Sequence, residues 1–283
     1  MQYTSEHIAL QDSVRHFIDR EITPNIAAWE KDGIFPAHEL FAKMGKMGFL
    51  GVNKPVEYGG LGLDHSYEIA YCEAIGGIGT QGVSMGIAVQ TDMATPALAR
   101  FGSDALRHEF LVPAIMGEQV VSIGVSESGA GSDVASVKTR ARKDGAGWRL
   151  SGTKTWITHA PIADVMVVWA KDDDGQIRGF VLERGMKGLE TAKIEGKVSV
   201  RASPTGQILM DDVRVGEEQR LPGARGLAAP FSCLNKARFG ICWGAMGAAE
   251  FCWHAARQYA LDRKQFGRPL AANQLVQKKL ADM

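Results

Sequence analysis

The sequence lacks an excess of charge of either sign: Lys plus Arg and Asp plus Glu both total 32, so the formal net charge is zero. With no run of Lys/Arg as a local substitute, nucleic-acid binding through bulk charge is excluded. Cysteine is scarce, and Cys72, Cys233, Cys242 and Cys252 show no C-x-x-C spacing. A chain of 283 residues needs no covalent staples, so these read as reduced thiols of a cytoplasmic protein. Long hydrophobic runs are missing too. The longest uncharged stretch, Ala74 to Thr91, has 18 residues but holds five glycines, two glutamines, Thr80, Ser84 and Thr91. It reads as a buried helix-and-turn segment, not a membrane span. The start, Met1 to His7, has neither a cationic nor an apolar region, which excludes a secretory signal there. No HExxH, P-loop or EF-hand pattern occurs and the seven histidines are scattered, so no metal site is expected.

Glycine is plentiful, its 33 copies exceeding a background of roughly 7%. Apolar residues at 45% and charged ones at 23% are the balance of a globular chain with a sizeable core. The first third reads helical. Ile8, Val14, Phe17, Ile18 and Ile22 follow three- and four-residue steps after a Thr4 or Ser5 cap, and Pro24 stops the run. Leu40, Phe41, Met44 and Met47 form a second stripe, Ser66 caps a third helix, and a fourth runs through Met93 to Phe101. Past Gly117 come short β-rich runs: Val120–Ile123, Trp148–Leu150, Val165–Trp169, Phe180–Leu182 and Ile208–Met210. Turn signals at Lys143–Gly145 and Asp172–Gly175 separate them. From Pro230 an apolar stripe (Leu234, Ile241, Ala245, Ala248, Cys252, Ala255, Tyr259) marks a long helix, with Gly240, Gly244 and Gly247 beside it. The expected fold class is therefore α+β multidomain: a helical domain over 1–118, an antiparallel β-domain over 119–228, and the start of a helical bundle over 229–283.

Two short patterns have the wrong surroundings. Gly77–Gly82 fits a dinucleotide fingerprint but follows a helical pattern instead of a strand. Gly82-Val83-Ser84-Met85-Gly86 fits a nucleophile elbow, again without its strand. More informative is Val125 to Asp133, where paired glycines and small hydroxyls suit an anionic or heteroaromatic ligand or, equally, a polar turn. Trp156-Ile157-Thr158 places an indole beside a hydroxyl, which suits a flat ring or a β-core. Arg238, on the small apolar stripe, needs a carboxylate from the fold or an anion from a ligand.

At these residues the chain resembles the acyl-CoA dehydrogenases. Asn53-Lys54-Pro55 to Tyr58-Gly59-Gly60-Leu61-Gly62, Val125 to Asp133, Trp156-Ile157-Thr158, Arg201-Ala202-Ser203 and Asp262 to Gly267 stand in the family's order. From Gly152 onward the text is most similar to bacterial-type glutaryl-CoA dehydrogenases, and the front half to short- and medium-chain members. The resemblance implies a helical domain, a β-domain and a C-terminal helical bundle, with FAD as cofactor and an acyl-CoA oxidised to the enoyl-CoA. It implies Ile123, Val125 and Ser126 on the flavin's pyrimidine side and Trp156, Ile157 and Thr158 near N5. Ser132 and Arg238 contact acyl-CoA in this carry-over. Arg263, Gln265, Phe266 and Gln274 reach FAD of a neighbouring subunit, which implies a homo-oligomer. An electron-transferring flavoprotein is the implied electron acceptor.

Three departures stand out. Ser128 replaces a usual proline, and Ser84 stands where glutaryl-specific members carry an arginine. The family's catalytic glutamate lies beyond Met283 in most members, and in a minority immediately before the arginine matching Arg238, where this chain has Ala237. Glu250 is about three turns away on the same helix. No catalytic residue is thus identified, and the bundle reads as truncated. Three readings follow: an acyl-CoA dehydrogenase for small or medium monocarboxylic chains, a non-catalytic flavin/acyl-CoA-binding fragment, and a serine hydrolase using Ser84.

Overall fold

A computed structural model describes residues 2–283. Helices α1 (Ser5–Phe17), α2 (Ile26–Asp32), α3 (Ala37–Lys46), α4 (His65–Gly76), α5 (Gln81–Ala88), α6 (Thr95–Phe101), α7 (Asp104–Leu106) and α8 (Val112–Met116) form the first block. The sheet block holds β1 (Val121–Gly124), β2 (Arg140–Asp144), β3 (Gly147–Thr158), β4 (Val165–Lys171), β5 (Ile177–Glu183), β6 (Leu189–Lys193) and β7 (Thr205–Gly216). Then come the long α9 (Ala228–Asp262), the hairpin β8 (Lys264–Gln265) and β9 (Arg268–Pro269), and α10 (Gln274–Asp282). This is the expected α+β arrangement. No helix among the described residues is long and apolar enough to cross a membrane.

Within the first block Val14, Phe17, Ile18 and Ile22 are buried as their spacing predicts, but Ile8 lies 47% exposed. Pro24 does not end the run. A π-type turn over Ile18–Ile22 and a 3-10 turn over Thr23–Asn25 lead into α2, because a proline near the start of a new turn forfeits no helical hydrogen bond. Met47 is likewise exposed. The cap of α4 is Asp64, whose carboxylate accepts the Ser66 N–H at 2.7 Å, so Ser66 sits inside the first turn and does not cap it.

The sheet runs β1-β4-β2-β3-β7-β6, with β5 on β4. Its pairs are antiparallel except β1–β4 and β2–β4, which are parallel, a departure from the all-antiparallel expectation. β1 is buried at all four positions, as suits a parallel strand covered on both faces although it stands at the end of the sheet order. β2 and β6, whose alternation is too polar to show, were not foreseen. The helical block and the sheet are tied through Gln90, which is completely buried. Its amide N–H groups donate to the carbonyls of Ala114 and Gln119 at 3.1 and 2.9 Å, and its Oε1 accepts the Val121 N–H at 2.8 Å. A side chain of that inventory is then nearly saturated.

α9 reverses the expected facing. Its buried positions include Cys233, Ala237, Gly240 and Gly247, whereas Ile241 and Tyr259 of the apolar stripe are 45% and 63% exposed. Glycine is the cause. A Cβ on Gly247 would lie 1.9 Å from the Glu73 carbonyl oxygen, and one on Gly76 2.0 Å from that of Gly244. α4 and α9 thus meet backbone to backbone, which only their glycine faces permit.

His159 is wholly buried between Phe35 and Phe41. Burial pushes its imidazole down to about 4 from 6.5, although the Val121 carbonyl partly opposes this. Below pH 6.5 the unfolded chain gains a proton that the folded chain refuses until about pH 4. His159 therefore withdraws about 3 kcal/mol of stability across that window as pH falls. In urea unfolding at stepped pH, His159→Asn is expected to flatten this slope relative to the parent; identical slopes would refute it. Gly247→Ala is expected to lower stability by ~1–3 kcal/mol in the same assay, since backbone must move to admit the methyl group.

Candidate functional site

β3 carries an extra residue against β7 between Lys154 and Ile157. The bulge puts Trp156 at φ 64°, a left-handed conformation that costs a non-glycine residue of order 1–3 kcal/mol. It throws the indole outward, 63% exposed, between buried Thr155 and buried Ile157. Bulges re-aim side chains in this way.

Beside it lies the segment after β1. The Thr155 N–H donates to the Ser126 carbonyl at 2.9 Å, and Lys154 Nζ donates to the Val125 carbonyl at 3.1 Å. Lys154, with no exposed side-chain surface, also pairs with Glu127 Oε1 at 2.9 Å. Glu127 accepts further hydrogen bonds from the Lys138 and Thr139 N–H groups and the Thr139 hydroxyl. Burial works against the Glu127 charge, yet these donors outweigh it and hold the carboxyl down at about 2. Burial also depresses Lys154, with Glu127 opposing. Sequence reading passed over this pair; its one signal was a lysine at an inward register position of a strand.

The structure brings Ser126 against the strand that carries Trp156, Ile157 and Thr158. Ile123 and Val125, each 6% exposed, turn their side chains into the core, so they offer a ligand mainly backbone. Ser132 is exposed on the adjoining loop. Arg263, Gln265, Phe266 and Gln274 form a separate group on the β8–β9 hairpin and at the head of α10, all exposed. These elements fold back on α9, where the Trp253 indole N–H donates to the Leu280 carbonyl at 3.0 Å.

Arg238 does not lie in an apolar interior as its stripe suggested. It is exposed, and its guanidinium donates to Asn235 Oδ1 at 2.7 Å, because the glycine face of α9 and not the apolar face turns inward. Ala237 is buried, and Glu250 is exposed with His254 nearby at 3.7 Å. Ser84 lies within α5 and donates to the Thr80 carbonyl at 3.1 Å, which removes the nucleophile-elbow reading. Gly77–Thr80 is the turn between α4 and α5, which removes the dinucleotide fingerprint.

A cavity of about 220 Å³ opens between α4, α5, the Val89–Ala94 turn and α9. Tyr71, Ser84, Thr91, Asp92, Gly240 and Ile241 line it. Behind it lies a cluster of buried charge that sequence reading did not single out. Burial pushes the Asp92 carboxyl up to about 6 and the Lys54 ammonium down to about 8. Lys54 donates to the Thr91 carbonyl at 2.8 Å and to Asn53 Oδ1 at 2.9 Å. Glu68, under the same cluster, is paired with Lys236 and with His65 at 2.7 Å. Burial raises the Glu68 carboxyl, but Lys236, His65 and Asn53 together outweigh it and hold it low. The available sign was Asp92 itself, the only carboxylate between Gln81 and Leu98.

Comparison with known proteins matches three family models along the chain. They are the acyl-CoA dehydrogenase N-terminal domain at residues 4–118, middle domain at 122–213 and C-terminal domain at 224–283. The glutaryl-CoA dehydrogenase of Desulfococcus multivorans is 34% identical, over 97% of this chain and 72% of its own length. The mitochondrial short-chain specific acyl-CoA dehydrogenase of Rattus norvegicus is 34% identical over 98% of this chain and 68% of its own. A solved glutaryl-CoA dehydrogenase from Mycobacterium smegmatis in complex with FADH2 superposes with a TM-score of 0.95 at 36% identity, covering 99% of this chain and 72% of that one.

Lys154→Met is expected to cost ~3–5 kcal/mol in urea unfolding by stranding the Glu127 charge, and adding Glu127→Gln should recover most of it. A loss under about 1 kcal/mol would show that the pair does not hold the 125–127 segment to β3.

Proposed function

The chain belongs to the acyl-CoA dehydrogenase family, and from that premise we propose that it binds FAD and a short- or medium-chain monocarboxylic acyl-CoA for α,β-dehydrogenation to the enoyl-CoA. The observation that carries the flavin part is Trp156. A strained bulge presents its indole to solvent beside the half-buried Ser126 and Thr158. Large apolar surface held out in that way calls for a cover, and a flat heteroaromatic ring with a polar edge matches it.

The residues present fit that group. Ile123, Val125 and Ser126 would run along the pyrimidine side of the isoalloxazine, with Trp156, Ile157 and Thr158 along the other edge near N5. Phe266, completely exposed at φ 50°, supports a role for Arg263, Gln265, Phe266 and Gln274 at the ADP half of FAD in a neighbouring subunit. The working form would then be a homo-oligomer. Bound FAD supplies the acceptor for the hydride that leaves the thioester's β-carbon. Ser132 and Arg238 would contact the acyl-CoA. The Arg238 guanidinium has five N–H donors and Asn235 takes one, which leaves donors for an anionic part of coenzyme A. An electron-transferring flavoprotein would take the electrons onward.

The cavity supports a monocarboxylic chain. Its lining has no lysine or arginine, and Asp92 would repel a second carboxylate. The glutaryl-CoA preference of the Desulfococcus relative is therefore not carried over. A second reading, binding without turnover, is favoured by Ala237, which offers no proton acceptor ahead of Arg238.

The test is an absorption spectrum of the purified chain after incubation with FAD, repeated anaerobically with butanoyl-CoA. Bleaching of a bound flavin is the dehydrogenase outcome, while a bound flavin that keeps its absorbance supports the binding-only reading. Failure to take up FAD would sink both. Trp156→Ala is expected to weaken FAD binding roughly 5- to 10-fold, in line with the loss of one aromatic contact of ~1–1.5 kcal/mol.

A further inference from the structure

The cavity between α4, α5 and α9 is not a plain hydrocarbon pocket. Tyr71 is 3% exposed, and its hydroxyl has no hydrogen-bond partner among the described residues. Asp92 is 5% exposed, and its Oδ2 receives a long contact from the Cys72 thiol at 3.9 Å. Both residues line the cavity. A hydrocarbon chain alone would leave the phenol without a partner and the carboxylate with only Cys72 and Glu68 against it, at a cost in desolvation.

The chemistry of the missing partner follows from the inventory. A carboxylate only accepts, whereas a phenol donates and accepts. A ligand hydroxyl can donate to Asp92 and accept from Tyr71 at once. An ammonium would add a third cation where Lys54 and Lys236 already balance Asp92 and Glu68, and a carboxylate would add a third anion. Any side chain at Gly240 would crowd that carboxylate, since a Cβ there would fall 2.8 Å from Asp92 Oδ2 and 3.4 Å from Cys72 Sγ. The glycine leaves the carboxylate accessible from the cavity.

We propose that this cavity selects an acyl thioester carrying a hydroxyl group at its γ-carbon or beyond, held between Asp92 and Tyr71. The position follows from the reaction, since the α- and β-carbons surrender hydrogen. The inference rests on the acyl-CoA reading given above and narrows its substrate class.

Calorimetric titration of the FAD-incubated full chain with two matched pairs tests it: butanoyl-CoA against 4-hydroxybutanoyl-CoA, and pentanoyl-CoA against 5-hydroxypentanoyl-CoA. The hydroxylated member of at least one pair should bind roughly 10- to 100-fold tighter, as a hydrogen bond to a charged group allows. Tyr71→Phe removes a hydroxyl that has no partner among the described residues, and should cut that preference, read as the ratio of the two affinities within each pair. Asp92→Asn should do the same. Equal affinity within both pairs overturns the inference but leaves acyl-CoA binding standing. A preference that survives both substitutions also overturns it, because the hydroxyl would then be recognised elsewhere. If none of the four thioesters binds, the acyl-CoA reading falls and this one with it.

Discussion

One buried amide holds the two halves of the candidate site in register. Gln90 has no exposed surface, and its two ends bond the helical block and the first strand of the sheet. The turn that carries it also carries Thr91 and Asp92 into the cavity wall. On its other side, Val121 begins the strand that leads to Ser126. The position of the cavity relative to the Trp156 edge is therefore tied through a wholly buried polar side chain, where a broken hydrogen bond is not replaced by water.

Around that tie the protein buries charge twice, in two different ways. Lys154 and Glu127 are matched: each charge has the other and further hydrogen-bond partners, and the result is a seam between a loop and a strand. The cluster of Lys54, Glu68, Asp92 and Lys236 is matched only in part. Glu68 and Lys236 pair, Lys54 is held by neutral oxygens, and Asp92 lines the cavity beside Cys72 and Glu68. Matched burial gives geometry, and incompletely matched burial next to a cavity gives a place for a ligand to contribute.

Much of the architecture was legible in the residues. Helical periodicity, the change of texture near Gly117 and the β-rich runs delivered the α+β order, because one-dimensional spacing encodes which residues can share a face. The Trp156-Ile157-Thr158 run was legible as chemistry as well. Its bulge was not, since a register shift is a relation between β3 and β7 and neither strand carries it alone. The inward face of α9 was misread for a related reason. Apolar periodicity pointed one way, while contact between glycine faces of α4 and α9 turned the helix the other.

What the sequence by itself determined is the kind and order of elements and the family that its spaced motifs share with known acyl-CoA dehydrogenases. Such features are local, or repeat at short period, and survive being written as a line. Only the tertiary structure decided which charges are buried, which hydroxyl is left without a partner, and that Tyr71, Asp92 and Gly240 line one cavity. These residues stand up to 169 positions apart in the chain, as Tyr71 and Gly240 do. Burial and hydrogen bonding depend on what packs against a residue, and packing across that separation leaves no mark in its neighbours along the chain.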